Sequence, residues 1–379
     1  MHRRDLLLAG LAAATPLPAL AAPTRTRWKV RGSEGFDAIC FLGPLSGKPF
    51  YARYYEKELA AFRPAFPASA QAALDTCQKA ADAAGALLAP NLCTLFSGAP
   101  DATLDDILAS VDNPEGRLFK PIKSSPYWDQ DQWKGFLQLR PALRQVFQGL
   151  KDANFPAFRE QYVGPQLATR IPALSARLAT VDVIAEQERL LGRRLQPGIE
   201  VILLWFSKPH GIRIQGQRFL THVEYADELV IRNADHEILH PPFPMDGPVA
   251  KAALAVLNRD PLLTRIVAEH DPSFGYNSME GILNEDTVQA LEQIVSERLG
   301  VAAPPAVRWK VSDGGMHVLA AGLYGTLKAE SYDRTGGNIA RWMADAAKSG
   351  KLAPDRLHAA AAQVLNTTPD RLWAPPKTA

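Results

Sequence analysis

The run Asp227-Glu-Leu-Val-Ile-Arg-Asn-Ala-Asp-His-Glu-Ile-Leu-His240, followed at once by Pro241-Pro242, constrains this chain more than any other stretch. Its apolar spacing predicts a helix over about 227–240, and the two prolines forbid its continuation. At roughly 100° per residue, Val230, Ile231, Ala234 and Ile238 share one face. His236 and His240 project from the opposite face, one turn apart. One side can therefore pack on a core while the other meets a cleft. Two neutral imidazoles at this spacing suit a catalytic zinc ion that keeps a place for water, and Glu237 is placed to take that water's proton. The competing reading is a packed or solvated helix whose histidines match by coincidence.

The first residues read as a targeting signal, not as part of the fold. Arg3-Arg4 precedes an apolar run from Leu6 to Ala14, and Ala19-Leu20-Ala21 places small residues where a signal peptidase cuts. The expected signal peptide is 1–21. Its Arg-Arg-Asp-Leu-Leu resembles a twin-arginine signal, which exports folded proteins. The apolar run is too short to span a bilayer, and no cysteine near the cut invites a lipid anchor. The mature protein is expected to be soluble, in the periplasm or secreted. A net charge of +2 over 379 residues, with no basic stretch interleaved with aromatics, argues against a nucleic-acid partner. Of Cys40, Cys77 and Cys93, the short separation favours a Cys77–Cys93 bridge, with one thiol left over.

Residues 22–195 read as a helical N-terminal lobe. Helices are expected over 68–88, stopped by Pro90, and over 104–111, with Asp101 as the N-cap. Further helices over 133–151 and 156–178 are interrupted by Pro141, Pro165 and Pro172, and one over 181–191 ends at Gly192. Two local matches fail on inspection. The Gly43 to Lys48 stretch is one residue short of a phosphate loop and has Pro49 where Ser or Thr is needed. Asp129 and Asp131 lack the glycine and distant glutamate of a calcium loop, so they read as an exposed loop anchored by Trp128 and Trp133.

At Pro197-Gly198 the pattern changes. The continuous apolar run 201–206 reads as a buried strand, and 212–216 with 217–223 as extended pieces around a turn. A sheet edge then borders the motif helix; it is either an ordinary hairpin or a strand-addition site for an extended peptide. Helices over 247–257 and 261–268 follow. The loop 271–277 leads into a helix ending at Leu299, whose stripe Val288, Leu291, Val295 and Leu299 marks the buried face that Glu285 borders. Residues 196–300 form the expected core. Residues 301–379 form a C-terminal helical region with helices over 338–348 and 354–365. The fold class is α+β and mainly α-helical, with a small sheet.

A catalytic zinc wants a third protein ligand. No Gly-x-x-His follows His240, so carboxylates remain: chiefly Glu280 and Glu285, with Glu269, His270 and Asp246 behind them. Over about 200–300 the chain resembles the gluzincins, zinc metallopeptidases of the thermolysin-like superfamily, in which His-Glu-x-x-His is followed by a glutamate on a later helix, often in an Asn-Glu pair. Asn284-Glu285 fits that pattern. The resemblance implies a zincin-like core with one zinc held by His236, His240 and Glu285, Glu237 as the catalytic base, and a peptide or protein substrate in the cell envelope. The sequence departs from the family in its longer gap between His240 and Glu285, and in Gln289, where those enzymes carry an acid. The donor that steadies a developing oxyanion is sought among His317, Tyr324, Tyr276 and Tyr332 by chemistry alone. His317 and Tyr324 are preferred because they lie in the glycine-rich segment 313–325. His210 and His222 have no metal-ligand spacing. The function expected is an exported zinc metallopeptidase. The alternatives are a binding or scaffolding protein with a degenerate or structural metal site, or a metal hydrolase for another amide or ester.

Overall fold

The apolar run after Pro197 forms β2 (Gly198–Leu204), and its alternation sets the layers of the molecule. In the computed structural model, which describes residues 24–274 and 276–375, Ile202 and Leu204 point into one core and Ile199, Val201 and Leu203 into another. Both faces are buried, which is why the strand is apolar without a break. The expected targeting signal lies outside the described residues.

Among the described residues the sheet has four strands in the order β1-β2-β4-β3. Here β1 is Arg27–Gly32, β3 is Ile212–Ile214 and β4 is Arg218–His222. β1 and β4 run parallel to β2, and β3 closes the edge as an antiparallel hairpin with β4. β1 alternates polar and apolar residues, and its Trp28 and Val30 pack on the same core as Val201 and Leu203, a stripe of only two residues inside what the sequence reads as the helical lobe. Pairing with β2 recruits it, so the sheet draws a strand from each side of the long helical stretch.

Helices cover both faces. On one side Phe36, Phe41, Phe96, Phe147 and Phe155 pack with Ile202, Ile212 and Leu220. On the other, Val230, Ile231, Ala234 and Ile238 of the motif helix (Asp227–Leu239) pack on Val201, Leu203 and Phe219. A third core surrounds the central helix (Met279–Leu299), with the helices Val318–Ala329, Ile339–Lys348 and Pro354–Val364 against it. The fold is mainly helical α+β. Among the described residues, no helix is long and apolar enough to cross a membrane.

Several local expectations are corrected. The helices Gln130–Asp152 and Phe155–Leu178 run through Pro141, Pro165 and Pro172 without breaking, because their buried faces hold them in place. The alanine-rich helix is Ala68–Ala83, and Gly85 in the left-handed region (φ 62°) ends its turn; Pro90 instead sits in the first turn of Leu88–Phe96, where its missing N–H costs little. Thr103, in a capping box with Asp106, caps Leu104–Asp112, while Asp101 pairs with Arg31 at 2.6 Å. Asp129 is not a loose loop residue. It caps Gln130–Asp152 by accepting from two backbone N–H groups at 2.8 Å. All three cysteines are free and buried, and the sulfur facing Cys93, 3.7 Å away, is that of Cys40 and not Cys77.

Asp37 ties the N-terminal helices to the sheet. Its buried carboxylate accepts from the backbone N–H groups of Trp205 and Phe206, and Arg159 donates to it at 2.7 Å. Asp37→Ala leaves a buried guanidinium without its partner and two amides unsatisfied. The expected loss is about 3–5 kcal/mol, read as a lower urea midpoint.

Candidate metal centre

The motif helix ends at Leu239, and His240 takes an extended conformation just beyond it. The sequence reading was therefore right to within a residue. Packing of its apolar face on the sheet turns His236 and His240 towards the central helix. That helix is buried on every side and carries Glu285, Asp286, Gln289, Glu292 and Gln293 in its interior. Buried polar groups need partners, and here they find them both along this helix, as Gln289 with Glu285, and across to other elements, as Asp286 with His317.

The Nε2 atoms of His236 and His240 lie 3.1 Å apart. Glu285, only 4% exposed, brings one carboxylate oxygen to 3.5 Å from His236 Nε2 and the other to 3.3 Å from His240 Nε2. Ligands about 2.0–2.1 Å from a tetrahedral zinc stand about 3.3 Å from one another. With one donor atom taken from each residue, the three lie within 4.8 Å of one another, a set that could close around a metal ion with either carboxylate oxygen as the third donor. This is the group among the described residues that could hold a metal ion, and its neighbour Glu280 is exposed and outside it.

The electrostatics are those of a site built for positive charge. Burial opposes a charge on His236, yet Glu285, with Glu237 and Glu292, outweighs burial and lifts its pKa to about 9. Burial would raise Glu285, but His236 and His240 hold it well below the usual carboxylate range. Supporting contacts fix the donors. Arg213 on β3 donates to the His240 carbonyl at 2.5 Å, and the Asn284 side chain stands 3.4 Å from His240 Nδ1. Gln289 donates to Glu285 at 2.9 Å and is itself oriented by Trp309, whose indole N–H donates to its carbonyl at 2.8 Å. An amide at this position can steer Glu285 as an acid could not, because an acid would repel it.

Glu237 has no hydrogen-bond or ion-pair partner among the described residues. Its charge is felt by His236, Tyr276 and Tyr127, which places it near all three. Tyr276, in the left-handed region at φ 59°, stands close enough to Glu285 for that carboxylate to act on its phenol. Such a backbone is rare for a bulky residue. Gly281 makes room for it, since a Cβ there would come within 3.2 Å of the Tyr276 Cα. Burial, then Glu285, Asp313 and Glu237, push the phenol up, so it remains a donor.

The two preferred donors sit elsewhere. His317 is 1% exposed behind Glu285, with Nδ1 2.6 Å from Asp286 and Nε2 2.8 Å from Asp313. Both nitrogens are committed. Tyr324 donates to Glu297 at 2.5 Å, and twelve residues separate Glu297 from Glu285, about 18 Å along the helix axis. Tyr332 donates to the Leu190 carbonyl. Of the glycine-rich segment 313–325, the part from Val318 on lies in a buried helix, while His317 just before it rests 6.1 Å from the Tyr276 ring and 3.1 Å from the Gln289 amide, behind the site and not in it. Of the four candidates, Tyr276 lies at the metal centre. His210 bonds Tyr51, and His222 accepts from the Glu224 backbone, both away from the triad.

His317 links the centre to stability. Burial lowers its pKa, but Asp286 and Asp313 overcome this and raise it to about 10 from 6.5. A raised pKa stabilises the fold fully below about pH 6.5, and that stability is lost as pH rises through about 10. Chemical denaturation across this range is expected to show an alkaline decline that His317→Gln flattens.

No family model matches the chain, and no curated protein or solved structure matches it either.

Proposed function

We propose that this chain is a zinc-dependent metallopeptidase, with His236, His240 and Glu285 as the metal ligands and Glu237 as general base. The observation that carries this reading is that two imidazole nitrogens 3.1 Å apart face the two carboxylate oxygens of Glu285, at 3.5 and 3.3 Å, beside Glu237, which follows the first histidine directly and has no partner among the described residues. Two imidazoles and one carboxylate are the donor set of a hydrolytic zinc site. The second contacts, Asn284 and Arg213 on His240 and Gln289 on Glu285, are what such ligands need to stay oriented.

When bound, the metal supplies Lewis acidity towards water and towards a carbonyl oxygen. Glu237 takes a proton from the attacking water as its oxygen bonds to the scissile carbon. As charge builds on the carbonyl oxygen, Tyr276 is the donor we assign to it, its one hydroxyl proton turning from Glu285 to that oxygen. The carbon–nitrogen bond then breaks, and Glu237 returns its proton to the departing amine. A substrate in the envelope, after export, accords with the signal expected at 1–21. The β3 edge beside Arg213 suits an extended chain, because an edge strand offers unpaired backbone groups.

The test is cleavage of a mixed peptide library, followed by mass spectrometry, with zinc-loaded and chelated protein. New termini at peptide bonds, lost on chelation and restored by zinc, are expected. Hydrolysis of esters or non-peptide amides alone would redirect the reading to another metal hydrolase.

A further inference from the structure

A cavity of about 260 Å³ opens beside His236, lined by Leu229, Arg232, Asn233, Glu292, Arg308 and Ser312. Its charge is uneven. Arg308 is spent: it is paired with Glu292, hydrogen-bonds the Gln293 side chain at 3.2 Å and lies over the Trp309 ring. Arg232 is not. Among the described residues no carboxylate pairs with it, and its Nε is buried without an acceptor. Arg232 lines the cavity with a charge that no carboxylate among the described residues neutralises, so an anion entering there meets a guanidinium with no competing partner. With Glu292 cancelling Arg308, the cavity keeps one uncompensated positive charge, in contact with a metal ligand.

We infer that this cavity is a subsite for a carboxylate on the substrate residue next to the scissile bond, bound by Arg232 as a charge-assisted pair. The inference rests on the metallopeptidase reading for its link to the scissile bond. A planar guanidinium presents paired donors that match a carboxylate, which a neutral side chain could not use. The cavity is smaller than the roughly 300–1,000 Å³ of a complete small-molecule site, and so suits one group of a longer ligand. Arg232 lies one turn before His236 on the same helix face, which places the anion one residue from the metal. Either an acidic side chain or a free C-terminal carboxylate has the required chemistry.

The test uses the zinc-loaded full chain carrying Glu237→Gln, so that bound peptide is not turned over. Otherwise neutral peptides with one Glu or Gln moved through the sequence, each with a free or amidated C-terminus, are titrated by calorimetry. The expected result is about tenfold tighter binding of the Glu peptide at one position, or of the free C-terminus. Which of the two appears identifies the source of the carboxylate. Adding Arg232→Gln should erase the preference and Arg232→Lys should keep part of it, with zinc content and unfolding midpoint unchanged in both. Equal binding of all peptides, no binding at all, or a preference that survives Arg232→Gln would overturn the inference. Wild-type cleavage without any acidic preference would leave the peptidase reading intact and remove only this subsite. A binding preference with no cleavage by the wild type would do the reverse.

Discussion

Glu237→Gln is expected to lower peptide hydrolysis by about 10²–10⁴-fold while leaving the bound metal in place, because the amide keeps the shape of the side chain but cannot accept the water's proton. Glu237 makes no contact that holds the fold together among the described residues, so the unfolding midpoint should not move. A single-turnover assay beside metal analysis reads both quantities. Loss of activity with loss of metal would instead make Glu237 a ligand. Retention of most of the activity would remove it from the chemistry.

Glu285→Ala is expected to weaken zinc binding by more than about a hundredfold, beyond what loss of a merely supporting group costs. The substitution removes one corner of the donor triangle and leaves Gln289, which donates to Glu285 at 2.9 Å, without its acceptor. Gln289→Ala should fall in the range of about 10–100-fold, since it frees Glu285 to rotate without deleting it. Glu280→Ala should bind zinc as the parent does, because Glu280 is exposed in the first turn of the central helix. Competition against a zinc-sensitive chelator ranks the three. Equal effects from Glu280 and Glu285 would mean that the triangle is not the site.

The motif helix and its partner carboxylate are legible in the sequence for physical reasons. The spacing of His236 and His240 and the stop at Pro241 fix one wall of the site. The stripe through Val288, Leu291 and Val295 turns Glu285 inward on the other. What spacing cannot carry is contact between distant segments. His317 meets Asp286 across 31 residues, and Trp309 meets Gln289 across 20, so neither pair leaves a periodic trace. Tyr276 lies in a loop whose left-handed backbone has no pattern to read, whereas Tyr324 stands out beside glycines that in fact serve helix packing, at Gly322 and Gly325. The prolines of the long helices mislead for a related reason. Local rules mark a break, but tertiary burial of Leu143, Val163 and Leu174 outweighs it. Arg232 is visible as a charge on the motif helix, yet only the fold shows that no carboxylate among the described residues pairs with it.

Native mass spectrometry of the zinc-reconstituted chain, run beside His236→Ala, tests the metal centre most directly. About one zinc per chain in the parent and none in the variant is the predicted result. A parent that takes up no metal after reconstitution, or a variant that keeps it, would contradict the assignment of His236, His240 and Glu285 as a metal site.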